Sequence, residues 1–175
     1  NIKIALSSAL RAGVLDEPAR VTLLASMTDE VAGLVLEDNR LQALGLSIAQ
    51  RSGGAGVPSY VRLIELLEES GKLDRKTEGV PDNEALLRRG LDGTTPNHGG
   101  LTRPELAVLL SSAKIALKEA VEACPVADDP AMEGELLAAF PQPMQQQYAA
   151  HIGTHRLRRQ IIATAFPEED KFELL

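Results

Sequence analysis

A chain of 175 residues is long enough to bury a hydrophobic core and reads as one domain. Apolar residues make up 44% and aromatics 3%, with Leu and Ala prominent, a composition that favours packed helices over a β-sandwich or barrel. A net charge of -7 and a pI near 5.0 argue against nucleic acid as the main partner, because phosphate binding needs net basic surface.

The chain opens Asn1-Ile2-Lys3-Ile4 in mid-helix pattern, without Met, and reads as part of something longer. Ile2, Leu6 and Leu10 share a helical face, and Gly13 is expected to end that helix. Asp16-Glu17-Pro18 has the order of cap, acidic residue and proline that opens a short helix through Leu24. Thr28-Asp29-Glu30 is a stronger start, a capping hydroxyl with two carboxylates at the positive end of a helix that runs to about Gln50. Its stripe reads Val31, Leu34, Val35, Asp38, Leu41, Leu44 and Ile48, so Asp38, with Asn39 beside it, interrupts an apolar face. A buried carboxylate needs a cation or several donors. Either the stripe edge is wet at Asp38, or Asp38 pairs with an arginine of another helix, Arg156 and Arg159 above all, or it is a docking or regulatory contact.

Ser52-Gly53-Gly54-Ala55-Gly56 reads as a flexible loop. It is no phosphate cradle, since no strand precedes it and no Lys-Ser/Thr follows it. Tyr60, Leu63, Ile64 and Leu67 form the next helix face, stopped at Gly71. After Pro81, Asp82 can cap a short helix carrying Leu86, Leu87 and Leu91. A loop from Gly90 to Gly100, with Pro96 and His98, delivers the chain to the central helix. There Thr102 and Glu105 stand in capping-box register, with Pro104 in the first turn. Leu106, Leu109, Leu110, Ala113 and Leu117 form its stripe, which Ala107 and Val108 widen, so its first half is expected to be buried on most sides. Pro125 terminates it. Asp128-Asp129-Pro130 starts another helix with Met132, Leu136, Leu137 and Phe140, and a last tract runs from about Met144 to Phe166, with Gly153 as a breaking point. The expected fold class is all-α, an irregular multi-helix bundle of about eight segments, forming a single helical domain over residues 1–175.

Few residues assemble into chemistry. His151 and His155 are four apart, but Gly153 lies between them, and beyond the remote His98 no third metal ligand suggests itself, so capping or surface roles are expected. Cys124, the single cysteine, excludes a disulfide framework and fits a reducing cytosol; beside Pro125 it reads as a buried or half-buried thiol. No apolar run approaches the ~20 residues of a membrane span and no signal peptide is visible, so a cytoplasmic location is expected. Arg156, Arg158 and Arg159 form a basic cluster in an acidic chain. Asp38, Asn39, Arg103, Arg156 and Arg159 are the candidates for interdomain or structural polar contacts. No residue is assigned to catalysis, cofactor or metal.

Three blocks carry a resemblance. They are Met27-Thr28-Asp29-Glu30-Val31-Ala32 followed by Leu36-Glu37-Asp38-Asn39; Gly100 through Leu110 with Lys114-Ile115; and His155-Arg156-Leu157-Arg158-Arg159-Gln160-Ile161-Ile162-Ala163-Thr164. The Asn1-Ile2-Lys3-Ile4 opening and the Gly71-Lys72-Leu73-Asp74-Arg75 turn add to them. Together they resemble the bacterial large NAD-specific glutamate dehydrogenases, in the region just C-terminal to the catalytic core. Gln160 departs from an expected Glu, Arg40 from an aromatic, and the tail from Pro167 follows no family pattern. The resemblance implies NAD-linked oxidation of glutamate in the parent enzyme, with its catalytic residues upstream of Asn1. Because no dinucleotide fingerprint occurs in the sequence, this stretch is expected to bind no NAD itself, and the resemblance implies that its partners are its own catalytic core and homo-oligomer subunits. The rival expectation is a free-standing helical protein-binding module without enzymatic activity.

Overall fold

The structure, a computed structural model, describes residues 1–92, 99–166, 168 and 170–172. Among these it is all-α, with ten α-helices and no strand. The helices are α1 (Ile2–Arg11), α2 (Glu17–Ser26), α3 (Thr28–Arg51), α4 (Gly53–Glu69), α5 (Arg75–Glu78), α6 (Asn83–Leu91), α7 (Arg103–Ala123), α8 (Glu133–Ala138), α9 (Gln142–Gly153) and α10 (Arg158–Thr164), with short 3-10 turns at Pro125–Asp128, Pro130–Met132 and Asp170–Phe172. None of the described helices is long and apolar enough to cross a membrane. Most of the loop expected before α7, His98 included, lies outside the described residues, as do Pro167, Glu169 and residues 173–175 of the tail.

The chain divides into two compact units, Asn1–Asp38 with Ala120–Ala165, and Asn39–Glu119 with Phe166–Leu175. In the first, α1 and α8 both pack on α9. The buried side of α1 is Ala5, Leu6 and Ala9, and Ile2 and Leu10 lie at its half-buried flanks. Gly13 ends the helix as expected: at φ 70 it lets the Val14 amide reach back to Ala9 O at 3.1 Å. Asp16 caps α2 through the Ala19 amide at 2.8 Å. Thr28 is not the expected cap. Met27 stays in the right-handed helical region between α2 and α3, so the Thr28 hydroxyl instead donates to Leu24 O at 3.3 Å. Glu30 does cap a helix, but a distant one: its carboxylate accepts the Gln142 amide at the start of α9, 2.6 Å away. Phe140, Met144 and Ile152 are fully buried around that helix.

In the second unit α4 packs on α6. One core joins Val57, Tyr60, Leu63, Ile64 and Leu67 of α4 to Leu86, Leu101, Leu106 and Leu109. Ser52 to Gly56 is not a loop. Gly53, at φ 52, turns the chain out of α3, and Gly54 and Gly56 already belong to α4. The reason is close packing: a Cβ on Gly54 would collide with the Gly90 carbonyl oxygen, and one on Gly100 would lie 2.7 Å from Gly53 O. Only glycine lets these three segments meet. Leu87 and Leu91 face outward at 41% and 87% exposure, leaving Leu86 as the buried residue of α6. On α7 the expected stripe is buried from Leu106 to Leu117, whereas Ala107 is exposed and Val108 half-buried, so the helix has a wet side from its first turn. Past α10, Lys171 is buried with its Nζ 2.8 Å from Glu168 Oε1, and the same oxygen takes Lys114 at 3.0 Å. Phe172 meets Tyr60 edge-on at 5.8 Å.

Candidate functional site: the arginine turn between α9 and α10

The turn exists because α9 cannot continue. It ends at Gly153, and the four residues Thr154 to Leu157 lead into α10. Within the turn His155 is buried, its Nε2 3.1 Å from Asn1 O and its Nδ1 3.1 Å from the Leu157 amide nitrogen. An amide can only donate, so Nδ1 is the bare, accepting nitrogen and Nε2 carries the proton that is donated to Asn1 O. The ring is therefore a neutral structural imidazole. Burial pushes its pKa below the ordinary 6.5, aided by the positive charge of Arg156 and opposed by the bond to Asn1. His151, one helical turn earlier, meets the Ser8 hydroxyl at 3.2 Å.

The arginines after His155 have separate tasks. Arg158 donates from Nε to Ala127 O at 2.8 Å and from Nη1 to Gly153 O at 3.3 Å, which ties the end of α9 to the 3-10 turn beyond α7. Arg159 donates to Glu122 O at 2.6 Å in the last turn of α7, where carbonyls lack helical partners and a cation offsets the negative end of the dipole. Its other donors straddle the two oxygens of Asp128. The hydrogen bond from Arg159 holds the Asp128 carboxyl below its ordinary value, with the charges of Arg159 and Arg158 adding to the effect. These groups line an open cleft of about 440 Å³ with Glu122, Asp128 and residues 153–160 on its walls. Arg156 is exposed on its rim and also borders a second groove beside Lys3, Ile4 and Arg11 of α1.

The remaining sequence candidates fall elsewhere. Arg103 donates to the Ser47 hydroxyl and to Ala43 O, each at 3.1 Å, and so holds the start of α7 to α3. Asp38 and Asn39 are exposed on α3, which answers the apparent anomaly in the stripe: that part of α3 is wet all round. Arg159 takes Asp128 and not Asp38 as its carboxylate. Cys124 is exposed rather than buried, because it lies in extended conformation between α7 and the following turn. In the Asp128-Asp129-Pro130 start expected from the sequence, the cap is Asp129, which accepts the Ala131 amide at 2.8 Å and leaves Asp128 for Arg159. A second network also went unread: Arg75 grips Glu68 at 2.8 Å, Pro81 O at 3.0 Å and Asn83 at 2.8 Å. Its signal was Asp74, whose carboxylate caps the Lys76 and Thr77 amides and places Arg75 at the start of α5. Among the described residues no three His, Cys, Asp or Glu side chains converge as a metal site would require.

The fold and these contacts define an all-helical module in which Arg158 and Arg159 are spent on main-chain carbonyls and a neighbouring carboxylate. Residues 1–49 match the family model described as the catalytic domain of bacterial NAD-glutamate dehydrogenase, and residues 98–167 match the one described as glutamate dehydrogenase, C-terminal. The chain is 41% identical to the NAD-specific glutamate dehydrogenases of Halomonas elongata and Pseudomonas aeruginosa and 35% identical to that of Mycobacterium tuberculosis, in each case over 94% of this chain and 10% of the relative. Over nearly all of its length the chain is a homologue of the bacterial NAD-specific glutamate dehydrogenases. It spans about a tenth of the length of the curated relatives it matches. No solved structure matches it significantly.

Proposed function

We propose that this chain is the helical portion of an NAD-dependent glutamate dehydrogenase, in which L-glutamate and water become 2-oxoglutarate and ammonia while NAD accepts the hydride. The observation that carries the reading is the pair of family matches in order along one chain, a catalytic-domain model and then a C-terminal model. Hydride transfer needs a crevice for the dinucleotide and groups that orient the substrate. This stretch has no Gly-x-Gly-x-x-Gly after a strand, and its Gly53-Gly54 pair serves helix packing. Its role is therefore to brace the catalytic core and to supply subunit contacts. The arginine turn supports that role, since Arg158 and Arg159 fix three chain segments with donors that a ligand would otherwise claim. The test is a full-length parent enzyme assayed for glutamate-dependent NADH formation, beside a version lacking residues 98–167. Turnover by the intact enzyme, with loss of turnover or of assembly in the truncated one, is expected. An intact enzyme inert toward glutamate and NAD overturns the activity, and a truncated enzyme of unchanged rate and sedimentation overturns the bracing role.

A further inference from the structure

We infer that the apolar side of α3 is the face on which the rest of the catalytic domain docks in the full-length enzyme, an inference that rests on the functional reading above. Over its 24 residues α3 buries only Gly45 and Ala49. Leu41, Leu44 and Ile48, all in the second unit, are 38%, 43% and 42% exposed. At 100° per residue these three fall within an arc of about 60°, beside buried Gly45 and Ala49, of which Ala49 belongs to the core of that unit. Isolated surface leucines need no explanation, but three in a row along one helix form a continuous apolar patch of the kind that marks an interaction surface. A 24-residue helix draws most of its stability from tertiary packing, and here the packing on this side is missing.

The matches identify the occupant. The catalytic-domain model covers residues 1–49 and stops just short of Arg51, the last residue of α3, so α3 closes the matched part of the catalytic domain. Relatives carry about ten times this length, since the chain covers 10% of each. The polypeptide absent here therefore includes the body of the very domain to which α3 is matched.

The experiment uses the full-length enzyme in a Cys124→Ser background, which removes this stretch's own exposed thiol, and labelling is read at each introduced cysteine by peptide mass. Leu44→Cys and Ile48→Cys are introduced singly, with Leu66→Cys on α4 and Ile115→Cys on α7 as controls of similar exposure, 39% and 50%. Reaction with a soluble maleimide is followed in the native enzyme and again in denaturant. Docking predicts that the α3 thiols react at least about tenfold more slowly than the controls in the native state, and equally fast once unfolded. Native-state reaction of both α3 thiols at the control rate overturns the inference. Protection that disappears when the enzyme is diluted to monomers also overturns it, in favour of a second copy of the chain as occupant. Glutamate-dependent NADH formation, measured on the same samples, separates the two claims. An inactive wild-type enzyme with protected α3 thiols defeats the functional reading alone, and an active enzyme with freely reacting thiols defeats the docking alone.

Discussion

His155 holds the break between α9 and α10 through two backbone partners, and only the neutral ring can hold both. Protonation at Nδ1 would set an N–H against the Leu157 amide. Its folded pKa lies below the ordinary 6.5, so as pH falls the unfolded chain takes up the proton first. The stabilisation is thus full above pH 6.5, declines as pH falls from there toward the folded pKa, and is fully lost below it. Denaturant midpoints measured from pH 7.5 downward should fall through this window in the native sequence. They should fall less in His155→Gln, which starts lower because it loses the paired backbone contacts. Parallel curves for the two proteins would show that another group carries the dependence. The carboxylates give a separate, more acidic window: Asp74, held by Thr77, and Asp128, held by Arg159, have pKa values lowered from 3.8, so their contributions are lost only below it.

At the scale of the element, α7 shows how a local cap becomes a tertiary joint. Glu105 accepts the Thr102 amide at 2.6 Å, and the Glu105 amide reaches the Thr102 hydroxyl at 3.4 Å, so the expected capping box forms with one short and one long arm. The same carboxylate takes Arg89 at 2.7 Å from the last turn of α6, a cation at one helix end and an anion at the other helix start. Burial raises the Glu105 pKa, but the bonds from Arg89 and Thr102 outweigh it and the net shift is downward. The two arms differ in worth. Thr102→Ala should cost about 0.5–1 kcal/mol, because it removes only the long arm. Glu105→Ala should cost about 1.5–3 kcal/mol, because it also leaves Arg89 unpaired. Urea unfolding measures both, and equal losses would mean that Arg89 adds nothing.

At the scale of the molecule, the glycines where α4, the end of α6 and the approach to α7 meet decide how the second unit closes. Gly100 faces the Gly53 backbone, whose atoms cannot rotate away as a side chain would, so Gly100→Ala should destabilise by about 1–3 kcal/mol. Gly33, inside α3 with nothing within 4 Å of an added Cβ, is the contrast, and Gly33→Ala should stabilise by about 0.5–1 kcal/mol. The same change of residue should shift the thermal midpoint in opposite directions. If Gly100→Ala raises the midpoint, the close approach is absent. These two sites read alike in the sequence, each a glycine in or beside a helix.

Much of the fold was legible because it is local. The caps at Asp16, Asp82 and Thr102, the stop at Gly13 and the stripe of α7 each rest on residues within a few positions of one another, and short-range geometry dictates them wherever the helix lies. The all-α class and the family followed from the same windows, from Leu- and Ala-rich 3.6-period runs and from blocks such as Gly100 through Leu110. Tertiary structure alone decided what each face meets. The apolar stripes of α3 and α7 look equivalent in sequence, yet Leu44 is 43% exposed and Leu109 fully buried. Arg159 finds its carboxylate 31 positions away, and Glu30 caps a helix start 112 positions along the chain. Periodicity records that a helix has an apolar side; only the packing partners, distant in sequence, determine whether that side is covered.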